Sequence, residues 1–183
     1  MSYKKWIFIA VFLFGIGLVF GFTAPAGATG FISEDIATLQ EQLASILTLP
    51  KFLIAIFIFT KNVSALLLSF ILSPIFCLVP IMALIANGWV LSFISAAVVE
   101  EQSLGYVLAG LLPHGIFELP ALILGEAAAL SFGATAILAI FRRERRGLLL
   151  PNLKQNLRYL ILALALLVPA AIIETYITPL LLT

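Results

Sequence analysis

The sequence has 183 residues, of which 63% are hydrophobic and only 10% are charged. Soluble domains usually carry about 25% charged residues, so this composition excludes a free-standing soluble domain and a disordered chain. A net charge of +1 supplies no basic face for nucleic acid, and the single cysteine, Cys77, rules out a disulfide scaffold. We therefore predict an all-α integral membrane protein that has the lipid bilayer around it and no nucleic-acid partner.

The N-terminal segment is predicted to be the first span. Lys4 and Lys5 precede an uncharged run of 17 residues, 6–22, and a spanning helix needs at least about 17 residues. A signal peptide is the alternative, because the small residues at 24–26 resemble a cleavage site. The apolar core of a signal peptide is only about 7–15 residues long. We therefore favour a retained span over 6–22.

Residues 23–61 are predicted to form a loop on the outer side. Ser33 is suited to an N-cap, acidic residues follow it in the first turn, and hydrophobic residues then recur at helical spacing. This pattern predicts an amphipathic helix over 34–49. The next apolar stretch, 52–60, has nine residues between two lysines. It is too short to span, so we expect it to lie at the membrane surface.

The uncharged stretch 63–99 has 37 residues, which is long enough for two short spans. We place these spans at 63–82 and 83–99. Asn87 and Gly88 are residues typical of turns and helix caps, so the turn is expected near this pair, with Asn87 as a cap.

A second apolar stretch, 104–141, contains Pro-His-Gly at 113–115. Proline removes a backbone donor from a helix, so we predict a half-helix, a break at 113–115, and a span over 115–141. A basic segment, 142–158, is predicted to be cytoplasmic, and the last span covers 159–182.

The distribution of cations predicts the topology. Cytoplasmic loops of membrane proteins carry an excess of Lys and Arg, and a cytoplasmic N-terminus places eight cations inside and two outside. This arrangement implies a multi-pass plasma-membrane protein of about five spans, although four or six remain open. The eight cations are Lys4, Lys5, Arg142, Arg143, Arg145, Arg146, Lys154 and Arg158.

Polar residues within apolar stretches are the candidate functional residues. His114 is the only histidine, and Glu118 follows it by four residues, so both lie on one helical face. Glu126 lies about 80° further around the helix at 3.6 residues per turn. Ionisable residues within membranes usually face a cavity or a partner. We therefore predict an intramembrane polar site that includes His114, Glu118, Glu126 and Asn87.

This site has two interpretations. Glu118 and His114 either form a proton- or ion-coupled site, or they are a structural brace in which the histidine donates to the carboxyl. A metal site is disfavoured, because His-xxx-Glu supplies two ligands and Cys77 is distant. No nucleophile and base stand at a recognisable spacing, so we expect neither an enzyme nor a cofactor. Glu174, in the last span, either pairs with a neighbouring helix or extends toward the outer surface.

Small residues at every fourth position predict close helix packing on the span 115–141. A shorter version, Gly17 and Gly21, lies in the first span. The packing is either internal or a dimer face, and we expect self-association as a homodimer or higher oligomer. The longer ridge comprises Ala121, Gly125, Ala129 and Gly133.

The sequence resembles the stage II sporulation protein M family over residues 50–183. The family pattern has an asparagine where Lys61 stands and a small residue where Glu126 stands. The resemblance is carried by Asn62, Asn87-Gly88, Pro113-His114-Gly115, Glu118-Leu119 and the small-residue helix over 121–133.

The resemblance implies a multi-span membrane scaffold or a transporter-like component. The namesake of the family is thought to hold peptidoglycan-degrading partners at the septum during engulfment. We therefore expect a non-enzymatic scaffold or subunit of a membrane assembly, with 34–49 and 142–158 as docking surfaces for membrane or cell-envelope proteins. The alternative is a permease or a proton- or ion-coupled transport component that uses His114 and Glu118.

Overall fold

The computed structural model describes residues 3–23 and 48–182, apart from the side chain of Glu101. Every regular element in these residues is helical, and five helices are long and apolar enough to span a membrane. The predicted all-α bundle of five spans is therefore confirmed, whereas nearly all of the predicted helix 34–49 lies outside the described residues. The helices are α1 Tyr3–Thr23, α2 Lys51–Leu72, α3 Leu78–Glu101, α4 Leu104–Phe141, α5 Leu149–Tyr176 and a short α6, Thr178–Leu181.

Helix α2 corrects the predicted position of the second span. It begins at Lys51 and runs without interruption to Leu72, so 52–60 is part of a spanning helix and the predicted span 63–82 is wrong. The sequence between these ends holds no proline or glycine that would end a helix. Lys61 falls near the middle of α2, where its exposed side chain lines a cavity beside carboxyl groups.

The turn between α2 and α3 lies at 73–77 and not at Asn87. Phe76 and Cys77 take left-handed backbone conformations, with φ of 52° and 55°, and the Cys77 N–H donates to the Ser73 carbonyl at 3.0 Å. Helix α3 continues through Asn87, whose Nδ2 donates to the Ala83 carbonyl at 2.8 Å. The predicted span 83–99 and the predicted cap at Asn87 are therefore wrong.

The predicted break at 113–115 is also wrong. Helix α4 is continuous from Leu104 to Phe141, with Pro113 and Pro120 inside it. Membrane helices tolerate internal proline because neighbouring groups and local adjustments satisfy the freed carbonyl groups. The basic segment likewise merges with the last span, since a 3₁₀ helix, Arg143–Leu148, leads directly into α5.

Helix α4 forms the core of the bundle. All four ridge residues, Ala121, Gly125, Ala129 and Gly133, are buried. A Cβ added at Gly125 would lie 2.8 Å from Cδ2 of Leu66, and one at Gly133 would lie 2.8 Å from Sγ of Cys77. The small residues thus allow α2 and the 73–77 turn to approach α4 closely. The ridge packs within one chain and is not open to a second copy.

The glycines of α1 make a second close contact. A Cβ added at Gly17 would overlap the backbone of Ile85, and one added at Gly21 would overlap Ser92. Both partners lie on α3, and the residue numbers of the contacts increase in the same direction along α1 and α3. Helices α1 and α3 are therefore parallel and nearly in backbone contact.

Candidate functional site

Six polar side chains from four helices meet beside the core of the bundle. The hairpin of α4 and α5 brings residues 114–118 next to 174–178, because the two helices are antiparallel and joined by a short connection. Helix α2 runs parallel to α4 and brings Asn62 to Glu118. We call this group the polar cluster; its members are Lys61, Asn62, His114, Glu118, Glu174 and Thr178.

Glu118 is held in the polar cluster by two neighbours. Asn62 donates from Nδ2 to Oε1 of Glu118 at 3.2 Å. The other carboxyl oxygen, Oε2, lies 3.7 Å from Nε2 of His114. The two carboxyl oxygens of Glu118 therefore have different neighbours, since Oε1 accepts from the Asn62 amide and Oε2 faces the imidazole of His114.

His114 has a partner at each ring nitrogen. Nδ1 lies 3.4 Å from Oγ1 of Thr178, and Nε2 points toward Glu118. The histidine side chain is 12% exposed, whereas that of Glu118 is 34% exposed. The imidazole is thus oriented by a buried hydroxyl and presented to a carboxyl that is open to its surroundings.

Glu174 is the third residue of the polar cluster, after His114 and Glu118, whose side chain could bind a metal ion. One ligand atom each from His114, Glu118 and Glu174 lie within 4.8 Å of one another. Glu174 also interacts electrostatically with Glu118 and with Lys61. Two carboxyls, one imidazole and one ammonium group therefore share a small region between the helices.

Two cavities meet at the carboxyls of Glu118 and Glu174. The first has a volume of about 460 Å³, lies between α3 and α4, and includes His114 and Asn87 in its lining. The second, also about 460 Å³, lies between α2 and α5 and includes Lys61. Both carboxyls line both cavities. The predicted pairing of His114 with Glu118 thus lies at the boundary of two open spaces.

Glu126 is separate from the polar cluster. Its side chain is 1% exposed, it lines neither of these cavities, and Ser69 donates to its Oε2 at 2.5 Å. The structure therefore divides the predicted polar site. His114 and Glu118 lie together, Asn87 borders the first cavity, and Glu126 is a buried residue of the α2–α4 contact.

Sequence reasoning did not assign Glu174, Lys61 or Thr178 to this site. Glu174 lies 56 positions after Glu118, so no local spacing relates the two residues. A signal was nevertheless present in the apolar stretches. Lys61 and Glu174 have opposite charges and each stands within a hydrophobic segment, and such groups usually pair with one another within a membrane.

The chain matches one known family over most of its length. The model of the family described as stage II sporulation protein M matches residues 10–179, a range that contains the whole polar cluster. An uncharacterized protein of Methanocaldococcus jannaschii is 26% identical over 178 residues, which cover 94% of this chain and 93% of the relative. No solved structure matches the chain.

Proposed function

This chain belongs to the stage II sporulation protein M family, and we propose that it is an ion-coupled transport component of the membrane. In this proposal Glu118 and Glu174 bind the transported or coupling cation, and His114 completes the binding site. The observation that supports the proposal is the position of both carboxyls on the walls of two cavities.

The exposure of Glu118 argues against a purely structural brace. A brace is expected to lie in tight packing, because a half-satisfied polar group in a low-dielectric interior is costly. The Glu118 side chain is instead 34% exposed, and a single amide donor, Asn62, engages its Oε1. An open carboxyl with unused lone pairs is suited to receive a cation.

The test is ion flux into proteoliposomes that contain the purified protein. With gradients of H⁺, Na⁺, K⁺ and the divalent cation Zn²⁺ applied in turn, we expect flux above that of protein-free liposomes for at least one ion. Glu118→Gln keeps the size and the acceptor for Asn62 but removes the negative charge. We expect it to reduce that flux by at least about tenfold, which corresponds to about 1.4 kcal/mol.

Glu126→Gln is the matched control for this test. It makes the same change on the same helix at a carboxyl that lines neither cavity. We expect its flux to equal that of the parent protein. Equal flux in the parent and in Glu118→Gln, or no flux above that of empty liposomes for any ion, would contradict the proposal.

We propose a scaffold role as the second candidate function. The 3₁₀ helix Arg143–Leu148 has no buried residue, so it presents a run of arginines outside the bundle. We place this surface and the N-terminus in the cytoplasm of a plasma-membrane protein, where the basic surface would bind an acidic membrane or cell-envelope protein. Self-association in such an assembly would use a face other than the buried ridge of α4.

Co-purification after mild extraction tests the scaffold role. We expect a partner to remain bound to the parent and to Glu118→Gln, and to be lost when the arginines at 142, 143, 145 and 146 are replaced by glutamine. Recovery of the bare protein under every mild condition would argue against the scaffold. The opposite responses of the two assays to Glu118→Gln separate the two functions.

A further inference from the structure

Three side chains of the polar cluster have the chemistry of a transition-metal site. His114 offers an imidazole nitrogen, and Glu118 and Glu174 each offer a carboxylate oxygen, all within 4.8 Å of one another. With metal–ligand distances of about 2.0–2.2 Å, ligand atoms of a tetrahedral site lie about 3.4 Å apart. Nε2 of His114 and Oε2 of Glu118 are already 3.7 Å apart. The other distances in the set, which reach at most 4.8 Å, must shorten by up to about 1.4 Å to close it around one ion.

Outer contacts orient two of the three ligands. Histidines that bind metals usually engage their second ring nitrogen in a hydrogen bond, which fixes the ring and its tautomer. Nδ1 of His114 has such a partner in Thr178 at 3.4 Å, which leaves Nε2 for the ion. Asn62 engages Oε1 of Glu118 and leaves Oε2 directed toward the histidine. Both free atoms thus face the same point.

The negative charge around this point comes from two carboxyls, and two lysines oppose it. The charged side chains that line the two cavities in the described residues are Glu118, Glu174, Lys61 and Lys51. Lys61 is the ammonium group that acts on Glu174, so it offsets part of the negative charge when no ion is bound. Because like charges repel, Lys61 also opposes a bound cation.

We propose that His114, Glu118 and Glu174 bind one divalent first-row transition-metal cation. An imidazole with two carboxylates suits Zn²⁺, Mn²⁺ or Fe²⁺, whereas Mg²⁺ and Ca²⁺ take oxygen ligands. Three protein ligands leave a coordination position open toward the cavities, as in metal sites that exchange a ligand. This metal ion would be the cation of the proposed transport function, on which the biological use of the site rests.

The test measures metal binding by the full-length protein in detergent, after removal of any polyhistidine tag. Isothermal titration with Zn²⁺ is expected to give one site per chain, and Co²⁺ is expected to give visible absorption bands from a nitrogen and oxygen ligand set. Mg²⁺ at the same concentration is not expected to compete. Absence of Zn²⁺ and Co²⁺ binding would overturn the proposal.

Variants assign the site to these residues. His114→Ala and Glu174→Gln are expected to weaken Zn²⁺ binding by at least about 100-fold, and Asn62→Ala by about 10- to 100-fold, the usual effect of removing an outer-shell contact. Lys61→Gln is expected to strengthen binding by about tenfold, because it removes a repulsive charge. Glu126→Gln is the control and leaves the affinity unchanged. Equal affinity in His114→Ala and the parent would place the metal elsewhere and refute the assignment.

The binding assay and the flux assay can refute the metal site and the transport function separately. Zn²⁺ binding in detergent without flux of any ion in proteoliposomes would support the metal site and contradict the transport function. Flux of H⁺ or Na⁺ that depends on Glu118, without Zn²⁺ or Co²⁺ binding, would contradict the metal site and support the transport function.

Discussion

Gly17 lies where helix α1 packs tightly against the backbone of α3, so replacing it with alanine is expected to destabilise the protein. A Cβ at this position would overlap the carbonyl oxygen of Ile85, and it would lie 3.0 Å from the carbonyl carbon of Ile85 and from the amide nitrogen of Trp89. Carbon atoms in optimal contact are about 3.5–4.0 Å apart. Because all three neighbours are backbone atoms, no change of side-chain rotamer relieves the overlap, and the helices must separate by at least about 1 Å.

The cost of this separation follows from the short range of dispersion forces. A gap of about 0.5–1 Å removes a quarter to a half of the attraction between the atoms concerned, and inserting a methyl group into a packed interior costs about 1–3 kcal/mol. We expect Gly17→Ala to lower the free energy of unfolding by that amount. Unfolding by SDS in mixed micelles measures it, and the fluorescence of Trp89 reports on the same interface.

Gly15 supplies the control on the same helix. A Cβ at Gly15 would meet no atom within 4 Å, so Gly15→Ala is expected to be neutral or slightly stabilising. Gly88 supplies the reciprocal change, because its Cβ would lie 3.2 Å from Cα of Gly17. A single separation of α1 from α3 would relieve both overlaps. The double variant Gly17→Ala/Gly88→Ala is therefore expected to lower the free energy of unfolding by less than the sum of the two single variants. Equal stability of Gly17→Ala and Gly15→Ala would refute the packing argument.

Two further predictions concern the α2–α4 contact and its turn. Ser69→Ala is expected to lower the free energy of unfolding by about 1–3 kcal/mol, because it leaves the buried carboxyl of Glu126 without its hydrogen-bond donor. The control is Ser64→Ala, at an exposed position of the same helix, which should change the free energy of unfolding little. Burial raises the pKa of the Cys77 thiol, and the thiolate is the reactive form. Maleimide should therefore label Cys77 slowly at pH 7, and faster only at more alkaline pH or after unfolding in SDS. Gly147→Cys, at an exposed position in a chain that also carries Cys77→Ala, provides the fast reference. Equal labelling rates would contradict the burial of Cys77.

The fold class followed from composition, whereas the helix boundaries depended on tertiary packing. Asn87-Gly88 and Pro113-His114-Gly115 are strong local signals for turns and breaks, yet both lie inside continuous helices. Gly88 is used for contact with α1 and not for a turn. The true turn instead places Phe76 and Cys77 at positive φ, a conformation uncommon for such residues. Local sequence propensity therefore predicted the turn between these helices at the wrong position.

The candidate site was predictable only where its residues share a helix. The four-residue spacing of His114 and Glu118 placed them on one face, and the structure brings their side chains to 3.7 Å. Glu126 shares that helix but faces Ser69, because eight residues do not return to the same side. Glu174 reaches the site only through the antiparallel pairing of α4 with α5. Position along the sequence carries no information about that contact.

The parallel contact between α1 and α3 has a consequence for how the protein is made. Gly88 follows Gly17 by about 70 residues, so a ribosome that adds about 5–20 residues per second completes the contact some 4–14 s after α1 is made. Until then the first helix must remain in the bilayer with its glycine groove against lipid, while α2 is inserted beside it. A chain that stops after α2 would leave that groove unfilled. Such truncated chains are expected to be recognised by membrane proteases, although each of their helices is apolar enough to remain inserted.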